Sequence, residues 1–329
     1  MRWQKFQQLS AIASNPFFSL TYARAVARAA PAARVAVVEE SGEIEAFIPY
    51  ELSDHRVGTT IGGMYTCVDG LVSSNAPINL RSAVKDANLR GWRFLYSPVE
   101  QTALAPYRNH LDYQGTSVST IELPSGLAGY LGGMTKSARK AHGRVMRSRP
   151  ELEKAAGPVS FEWNSSKPAD LDCLLRWKAA QYGNVGEWLA LPGKSRFVHE
   201  LAESDAEDCT GVLSVLRAGD RMVAGRLGLR AGSTLALWIT AYDPEFAQFQ
   251  SGMMSLFMLV AEAQGREVER IDFGYGDNFH KRRFANSQYE IGGGEVWASG
   301  LEAGARRVYQ RLRYRRVLPP AAQPAVAGT

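Results

Sequence analysis

Cysteine and histidine are scarce in this sequence. Its 329 residues include 3 cysteines and 5 histidines. Cys67, Cys173 and Cys209 are odd in number, lie far apart and form no C-x-x-C pair. A disulfide framework or a zinc site built on cysteines is therefore not expected. The histidines are equally scattered and show no metal-ligand spacing, so we expect no metal site.

Long hydrophobic runs are absent as well. No run of about 18 uncharged apolar residues occurs, so no transmembrane helix is expected. The N-terminal stretch MRWQKFQQLSAIASNPFFSL is interrupted by polar residues and lacks the continuous apolar core of a signal peptide. With 45% hydrophobic and 22% charged residues, the composition is that of a globular protein. We expect a cytoplasmic protein.

The motifs of several enzyme classes are missing. Asp272-Phe273-Gly274 is the tripeptide with which protein kinases hold magnesium, but no H-R-D loop, V-A-I-K lysine or glycine-rich hairpin accompanies it. Gly274-Tyr275-Gly276 does not continue as G-x-G-x-x-G, because Phe279 occupies the last position. Since no P-loop and no G-x-S-x-G occur either, these absences argue against a kinase, a P-loop NTPase and an α/β-hydrolase.

Positive charge is concentrated in two places. The net charge is +5. One basic cluster runs from Lys136 to Arg149 without an acidic residue, and another lies in residues 301–329, which contain six arginines and one glutamate. Two interpretations are open: contact with an anionic partner, or solvated helix faces. A peripheral membrane contact of residues 305–318 is the weaker idea, because their apolar face is thin.

The hydrophobic pattern predicts mixed α/β structure in both halves of the chain. A basic, strongly helical stretch over residues 127–156 ends at Gly157-Pro158, which marks the predicted domain junction. We therefore expect a first domain over residues 1–156, a second over 157–300, and a basic C-terminal helix and tail over 301–329.

The second half shows the clearer order of elements. A strand and two helices precede a meander of three strands that ends at Tyr242. An apolar helix over residues 252–264 and a strand over 269–273 follow. Other predicted elements are a helix over 76–90, a loop over 183–193, a short strand over 295–299 and a helix over 301–317.

Several sequence blocks, taken in order, carry a family resemblance. They are NPFFSLTYARAV, SARKAHGRVMRSRPEL, VLRAGDRMVAGRLGLRAG, ALWITAYDPEFAQFQSGMMSLFMLVAEAQG and IDFGYGDNFHKRRF. With them the chain resembles the GNAT acyltransferase superfamily, in particular the two-domain CelD/BcsL-like acetyltransferases of cellulose biosynthesis, which are related to Fem-type transferases. The resemblance implies an α/β (α+β) fold of tandem GNAT-like domains, each a mixed, mainly antiparallel sheet flanked by helices, with the second domain catalytic.

This chain departs from the family pattern in the two most diagnostic blocks. Ser251-Gly252 stands where the family has proline-glycine, and a helix start accepts serine well. His280 stands before Lys281 where the family commonly has tyrosine, which changes a candidate acid or base. The superfamily's Q/R-x-x-G-x-G/A loop is not seen literally, so residues 250–253 take its place.

The resemblance implies an N-acyltransferase. Its co-substrate would be acyl-CoA or the pantetheine of an acyl carrier protein, and its acceptor an amino group on a sugar or small metabolite. Two alternatives remain open. One is a Fem-like transferase that uses aminoacyl-tRNA, although the absence of a long coiled-coil insertion makes nucleic acid the less favoured partner. The other is a non-catalytic GNAT-like binding or scaffold protein.

The chemistry of acyl transfer to an amine suggests the catalytic residues. A base must take the proton of the amine, and an acid must protonate the departing thiolate. His280 suits either role, and Tyr242 is a candidate acid. Asp272 ends a strand, where side chains face the cleft of α/β proteins, so it is either a base or an orienting residue. The plainer alternatives are a surface histidine, a core tyrosine and a structural aspartate.

Donor and acceptor sites can be assigned in the same way. Backbone groups near Ile239 or Thr240 are candidates for the oxyanion, and the helix start after the meander for a pyrophosphate. The predicted donor-binding residues are Ile239, Thr240, Gln250, Ser251, Gly252, Met253 and Lys281. Trp188, in the predicted loop, Tyr182 and Trp238 are the acceptor candidates, with core packing as the alternative for the aromatic rings.

Overall fold

A computed structural model describes residues 2–9, 12–63, 66–74, 76–108, 116–191, 193–276 and 279–305. The helices are α1 (Arg2–Gln7), α2 (Leu20–Ala29), α3 (Leu80–Asp86), α4 (Gly126–Gly133), α5 (Lys136–Arg147), α6 (Arg149–Ala156), α7 (Pro168–Gln181), α8 (Gly183–Ala190), α9 (Lys194–Ala202), α10 (Ser251–Ala263) and α11 (Phe279–Phe284). The strands are β1 (Ala33–Glu40), β2 (Glu43–Leu52), β3 (Val57–Thr60), β4 (Val72–Ser73), β5 (Gly91–Pro98), β6 (Thr116–Glu122), β7 (Val159–Glu162), β8 (Asp205–Ala206), β9 (Cys209–Ala218), β10 (Arg221–Ala231), β11 (Thr234–Tyr242), β12 (Arg270–Asp272) and β13 (Ser287–Trp297).

The described strands form one continuous sheet. Its order is β1-β2-β3-β5-β13-β6-β12-β11-β10-β9-β7, with β4 beside β2 and β8 beside β9. Two pairs, β3 with β5 and β11 with β12, are parallel, whereas the other described pairs are antiparallel. Helices pack on this sheet, so the predicted fold class, α/β with a mixed, mainly antiparallel sheet flanked by helices, is confirmed.

The helices form layers on opposite faces of the strands β9–β11. Leu213 of β9 packs in one core cluster with Leu171 and Leu174 of α7. Its neighbour Val212 packs in another cluster with Leu256 of α10. Because successive side chains of a strand point to opposite faces, α7 and α10 lie on opposite sides of the sheet. The edge of β11 between them is where the candidate site lies.

Strand β13 corrects the prediction of a short strand over residues 295–299. It begins at Ser287 and pairs with both β5 and β6. The first part of β13 was not predicted because it contains consecutive glycines. Glycine is rare in strands and often marks a bulge or a close backbone approach. The register shifts between Gly292 and Gly294, and a Cβ added at Gly294 would lie 2.3 Å from the Tyr107 carbonyl oxygen.

Other predicted elements were right in kind but not in extent. The helix predicted over 76–90 covers only α3, because Asn79 caps its start and Asn88 has a left-handed φ of 58°. The segment predicted as a loop over 183–193 contains helix α8. Of the helix predicted over 301–317, residues 301–305 are helical and the rest lies outside the described residues. Within the part of the chain described, no helix is long and apolar enough to cross a membrane.

Candidate active site

The site begins where β11 loses one of its neighbours. β12 pairs with β11 only over Thr234–Ala236, whereas β10 accompanies β11 to Tyr242. A register shift in the β10–β11 pair leaves Trp238 as an extra residue, a β-bulge that bends the strand. β12 ends early because Gly274 turns the chain with a φ of 67°. The edge of β11 beyond Ala236 therefore faces an opening instead of a strand.

A cavity of about 540 Å³ occupies this opening. Its walls come from both layers of helices: Lys178, Gln181 and Tyr182 from the α7 side, and Gly252 and Leu256 from α10. Most of the predicted site residues line it, namely Tyr182, Trp238, Thr240, Tyr242, Gln250, Ser251, Gly252, Met253, His280 and Lys281. The structure thus brings together residues that are about 100 positions apart in the sequence.

Asp272 does not line the cavity. Its carboxylate is buried and accepts hydrogen bonds from Asn15 Nδ2 at 3.2 Å and from the Tyr289 hydroxyl at 2.7 Å. It also accepts the backbone N–H of Gly274 at 2.7 Å. Burial raises the pKa of Asp272, and the Gly274 and Tyr289 hydrogen bonds oppose that rise. Asp272 joins the N-terminal segment, β13 and the turn after β12, so the geometry is that of an orienting residue.

Trp188 and Ile239 also lie away from the cavity walls. Trp188 is buried in helix α8, where its ring meets the Phe197 ring edge-on at 6.3 Å. The structure therefore corrects its placement in an open binding loop, because the apolar face of α8 turns it into the core. The Ile239 side chain is buried in the same core cluster.

Helix α10 presents an open N-terminus to the cavity. It begins at Ser251, one residue before the predicted start, after Gln250 in a left-handed conformation with φ 56°. No side chain caps this end, so the first N–H groups of the helix have no intrahelical acceptor. Ser251 Oγ is buried and finds no hydrogen-bond partner among the described residues. These polar donors therefore lie at the wall of the cavity, at a helix start of the kind that stabilises an anion.

Positive charge converges on the cavity. Lys178, Arg226 and Lys281 line it, and none of the described lining residues is an aspartate or a glutamate. Burial lowers the pKa of Lys178, and the charges of Lys281 and Arg226 lower it further. Burial also lowers the pKa of Arg226, to about 10. Lys178 and Arg226 were not predicted as site residues from the sequence. Arg226 could have been found, because an arginine among the apolar residues of a strand often has a functional role.

The contacts of these cations hold them in place. Lys178 Nζ donates to the Thr240 carbonyl at 3.2 Å and lies 4.6 Å from the centre of the Tyr182 ring. Arg226 donates to Ser255 Oγ at 3.1 Å and to the Gly252 carbonyl, both in the first turns of α10. Lys281 Nζ donates to the carbonyls of Gly274 and Tyr275.

His280 and Tyr242 border the cavity from solvent. Both are exposed, and the Tyr242 ring packs so closely on Gly252 that a Cβ added there would lie 2.9 Å from Tyr242 Cδ1. His280 lies in the first turn of helix α11. Asp277 and Asn278, just before it, lie outside the described residues.

The geometry agrees with a comparison against protein families. The family model of the acetyltransferase (GNAT) domain matches residues 139–282, which hold most of the residues that line the cavity. Residues 139–282 are therefore similar to a GNAT acetyltransferase domain. This match and the fold confirm the prediction of a GNAT-type acyltransferase. No curated protein sequence matches the chain. Among the described residues, no group of histidine, cysteine, aspartate and glutamate could hold a metal ion.

Solved structures resemble this protein over most of its length. FemX has a TM-score of 0.60 at 12% identity, covering 88% of this chain and 93% of its own. The C-terminal domain of a putative lysylphosphatidylglycerol synthetase from Agrobacterium fabrum has a TM-score of 0.51 at 14% identity, covering 93% and 94%. L-PGS from Bacillus licheniformis has a TM-score of 0.52 at 11% identity, covering 95% of both chains. Identities this low show a shared fold.

Proposed function

We propose that this protein is an N-acyltransferase that moves an acyl group from acyl-CoA, or from an acyl carrier protein, to an amino group of a sugar or small metabolite. The observation that carries the proposal is the cavity itself. It joins the open N-terminus of α10, the unpaired edge of β11 and the α7 side of the sheet in one space. A donor can therefore enter from one side and an amine from the other, as a ternary complex requires. The ordered sequence blocks support the more specific CelD/BcsL-like assignment.

The start of α10 is the proposed phosphate site of the donor. A pyrophosphate there would accept the free N–H groups at Ser251 and Gly252, and the helix dipole would favour its charge. Ser251 Oγ, which finds no other partner among the described residues, adds a donor. Arg226 lies beneath the same turn and adds positive charge.

The edge of β11 is the proposed site for the pantetheine arm and the thioester. The Thr240 carbonyl accepts its hydrogen bond from Lys178, so it points away from β10. Since the N–H and C=O of a strand residue point to the same edge, the Thr240 N–H faces the opening too. That N–H is the proposed donor to the thioester oxygen as it becomes an oxyanion.

The proposed reaction is direct transfer. The amine nitrogen attacks the thioester carbonyl carbon, forming a C–N bond and a tetrahedral oxyanion. The intermediate collapses with cleavage of the C–S bond, and CoA leaves as a thiolate. His280 takes the proton that the amine loses, and Tyr242 protonates the thiolate. Asp272 acts as a positioning residue that fixes the turn after β12, and through it the carbonyls that hold Lys281.

A thiol-release assay tests this proposal. Acetyl-CoA and longer acyl-CoAs are incubated with amino sugars and small amines, and free thiol is followed over time. Release that depends on both the protein and the amine is expected, together with CoA binding by calorimetry. Absence of both thiol release and CoA binding contradicts the proposal.

A second candidate is Fem-type transfer from an aminoacyl-tRNA, which one observation favours. The exposed face of α5 carries five cations and no acidic residue, and none of these cations forms an ion pair among the described residues. Its cations are Lys136, Arg139, Lys140, Arg144 and Arg147. If RNA phosphates bind there, affinity for tRNA falls steeply with salt, and charge reversal at Lys140 and Arg144 removes it. No binding of tRNA at low salt excludes this candidate.

A further inference from the structure

The α7 wall of the cavity holds a cation, Lys178, that the proposed binding of the acyl donor does not explain. Lys178 lies on α7, across the sheet from α10 and its proposed phosphate site. Its ammonium has three N–H donors, of which the Thr240 carbonyl takes one. Within the described residues, no ion pair links Lys178 to a carboxylate. The charge is fixed in place, since the Tyr182 ring supports it from 4.6 Å.

The surroundings of Lys178 make its position unfavourable without a ligand. Arg226 and Lys281 line the same cavity and repel it, and burial removes much of its hydration. Like charges that converge in a cleft raise the local concentration of anions and are typical of a site that binds one. No acidic side chain lines the described walls of the cavity, so a bound anion would supply the balancing charge for Lys178.

The donor's phosphates are poorly placed to supply that charge. The open helix start, Ser251 Oγ and Arg226 already provide their donors on the α10 face. Lys178, by contrast, stands beside Gln181 and Tyr182 on the face that is left for the acceptor. A group on the amine substrate is therefore the better source of negative charge.

We infer that the amine acceptor carries an acidic group, a carboxylate or a phosphate, which Lys178 binds on the α7 side of the cavity. This rests on the proposed acyltransferase function. The acidic group anchors the acceptor beside the Thr240 edge, so its amine is held near the thioester. A charge-assisted hydrogen bond in such a site is expected to give roughly a 10- to 150-fold preference for acidic over neutral amines.

Matched probe pairs test the inference. Glucosamine 6-phosphate is compared with glucosamine, and β-alanine with propylamine, by calorimetric binding to the CoA-saturated protein. The acidic member of at least one pair is expected to bind 10-fold tighter or more. The pair that responds tells a phosphate from a carboxylate. Equal binding of the acidic and neutral members in both pairs overturns the inference.

Variants assign the effect to Lys178. Lys178→Met is expected to abolish the preference for the acidic probe and leave the CoA dissociation constant unchanged, while Lys178→Arg retains much of the preference. Lys154→Met, which removes an exposed lysine from α6, is the control and should change neither. Weaker CoA binding in Lys178→Met assigns the lysine to the donor and overturns the inference. CoA binding and thiol release by the unaltered protein report separately on the proposed function.

Discussion

The N-terminal and C-terminal halves contain the same local arrangement with opposite outcomes. In each, a strand is connected through a helix to a second strand that pairs with it in parallel. These are β11, α10 and β12 in the second half, and β3, α3 and β5 in the first, where the short strand β4 also precedes the helix. The N-terminal pair is joined only over Val57–Gly58, so its strands also separate. The separation is closed there by the buried Asp69 carboxylate, which accepts the N–H groups of Leu95 at 2.9 Å and Tyr96 at 2.7 Å.

The helices α3 and α10 differ in whether a side chain caps their N-terminus. Asn79 caps the start of α3, its side chain accepting the N–H of Ser82 at 3.2 Å. No side chain caps the start of α10. In the first half the protein satisfies its own backbone donors, whereas in the second it leaves them facing a cavity. Because unpaired donors are unfavourable unless something binds them, the difference supports the proposal that the second half binds the ligand.

The sharpest test of this contrast is the number of donor molecules bound. We expect calorimetry with CoA to give one site per chain, because the donor is proposed to bind at the β11–α10 opening and Asp69 closes the corresponding gap in the first half. Two equivalent sites would show that the Asp69 closure does not exclude a ligand, and the comparison would fail.

Removal of the closure should have a large effect on stability. Asp69→Ala leaves the buried N–H groups of Leu95 and Tyr96 and the Thr60 hydroxyl without their acceptor. The free energy of unfolding should fall by about 3 kcal/mol or more, as measured in urea. Asp54→Ala, at an exposed aspartate of the same half, is the control. Equal stability of the two variants would refute the closing role of Asp69.

Catalysis should depend on His280 in the second half and not on His55 in the first. His280→Ala is expected to lower kcat by about 100-fold, the usual effect of a lost general base. His55→Ala alters an exposed histidine near β3 and should leave kcat unchanged. Steady-state thiol release measures both. A normal kcat in His280→Ala removes this residue from the mechanism.

The proposed donor site at the start of α10 can be tested by adding one methyl group at Gly252. Gly252→Ala places a Cβ 2.9 Å from Tyr242 Cδ1, so the ring has to move at the cavity mouth. CoA affinity should drop about tenfold, a change of 1.4 kcal/mol. The control is Gly183→Ala at the start of α8, where an added Cβ meets nothing within 4 Å. Unchanged CoA affinity in Gly252→Ala argues against this helix start as the donor site.

The smallest expected effect is on stability at Lys178. Its pKa is lowered in the folded protein, so the charged side chain costs stability at neutral pH, and that cost fades as pH rises through the lowered pKa. Lys178→Met should therefore stabilise the ligand-free protein by on the order of 1 kcal/mol at pH 7 and by less near pH 10. Thermal unfolding at both values measures this, with Lys154→Met as the reference. A loss of stability at pH 7 means that the Thr240 hydrogen bond outweighs the charge repulsion.

Much of the local structure could be predicted from the residues. Alternation of apolar residues indicated β9–β11, and the apolar run after Tyr242 indicated α10 as a buried helix. The residues around Gln250–Met253 were predicted to meet the donor, and they line the cavity. The full extent of strand β13 was not predicted, because its glycines interrupt the alternation of apolar and polar side chains that indicates a strand. The division into domains at Gly157-Pro158 stays a prediction.

The sequence by itself determined helices and strands such as α10 and β9–β11, because periodicity and turn residues act over a few neighbours. It also determined the chemical groups available, His280, Lys281 and a helix start near Ser251 among them. Only the tertiary structure decided that Lys178 and Arg226 face the same cavity, that Trp188 is core and that Asp69 closes one opening. These outcomes depend on where a strand stops pairing and which faces of distant helices meet, and no local pattern of residues records either.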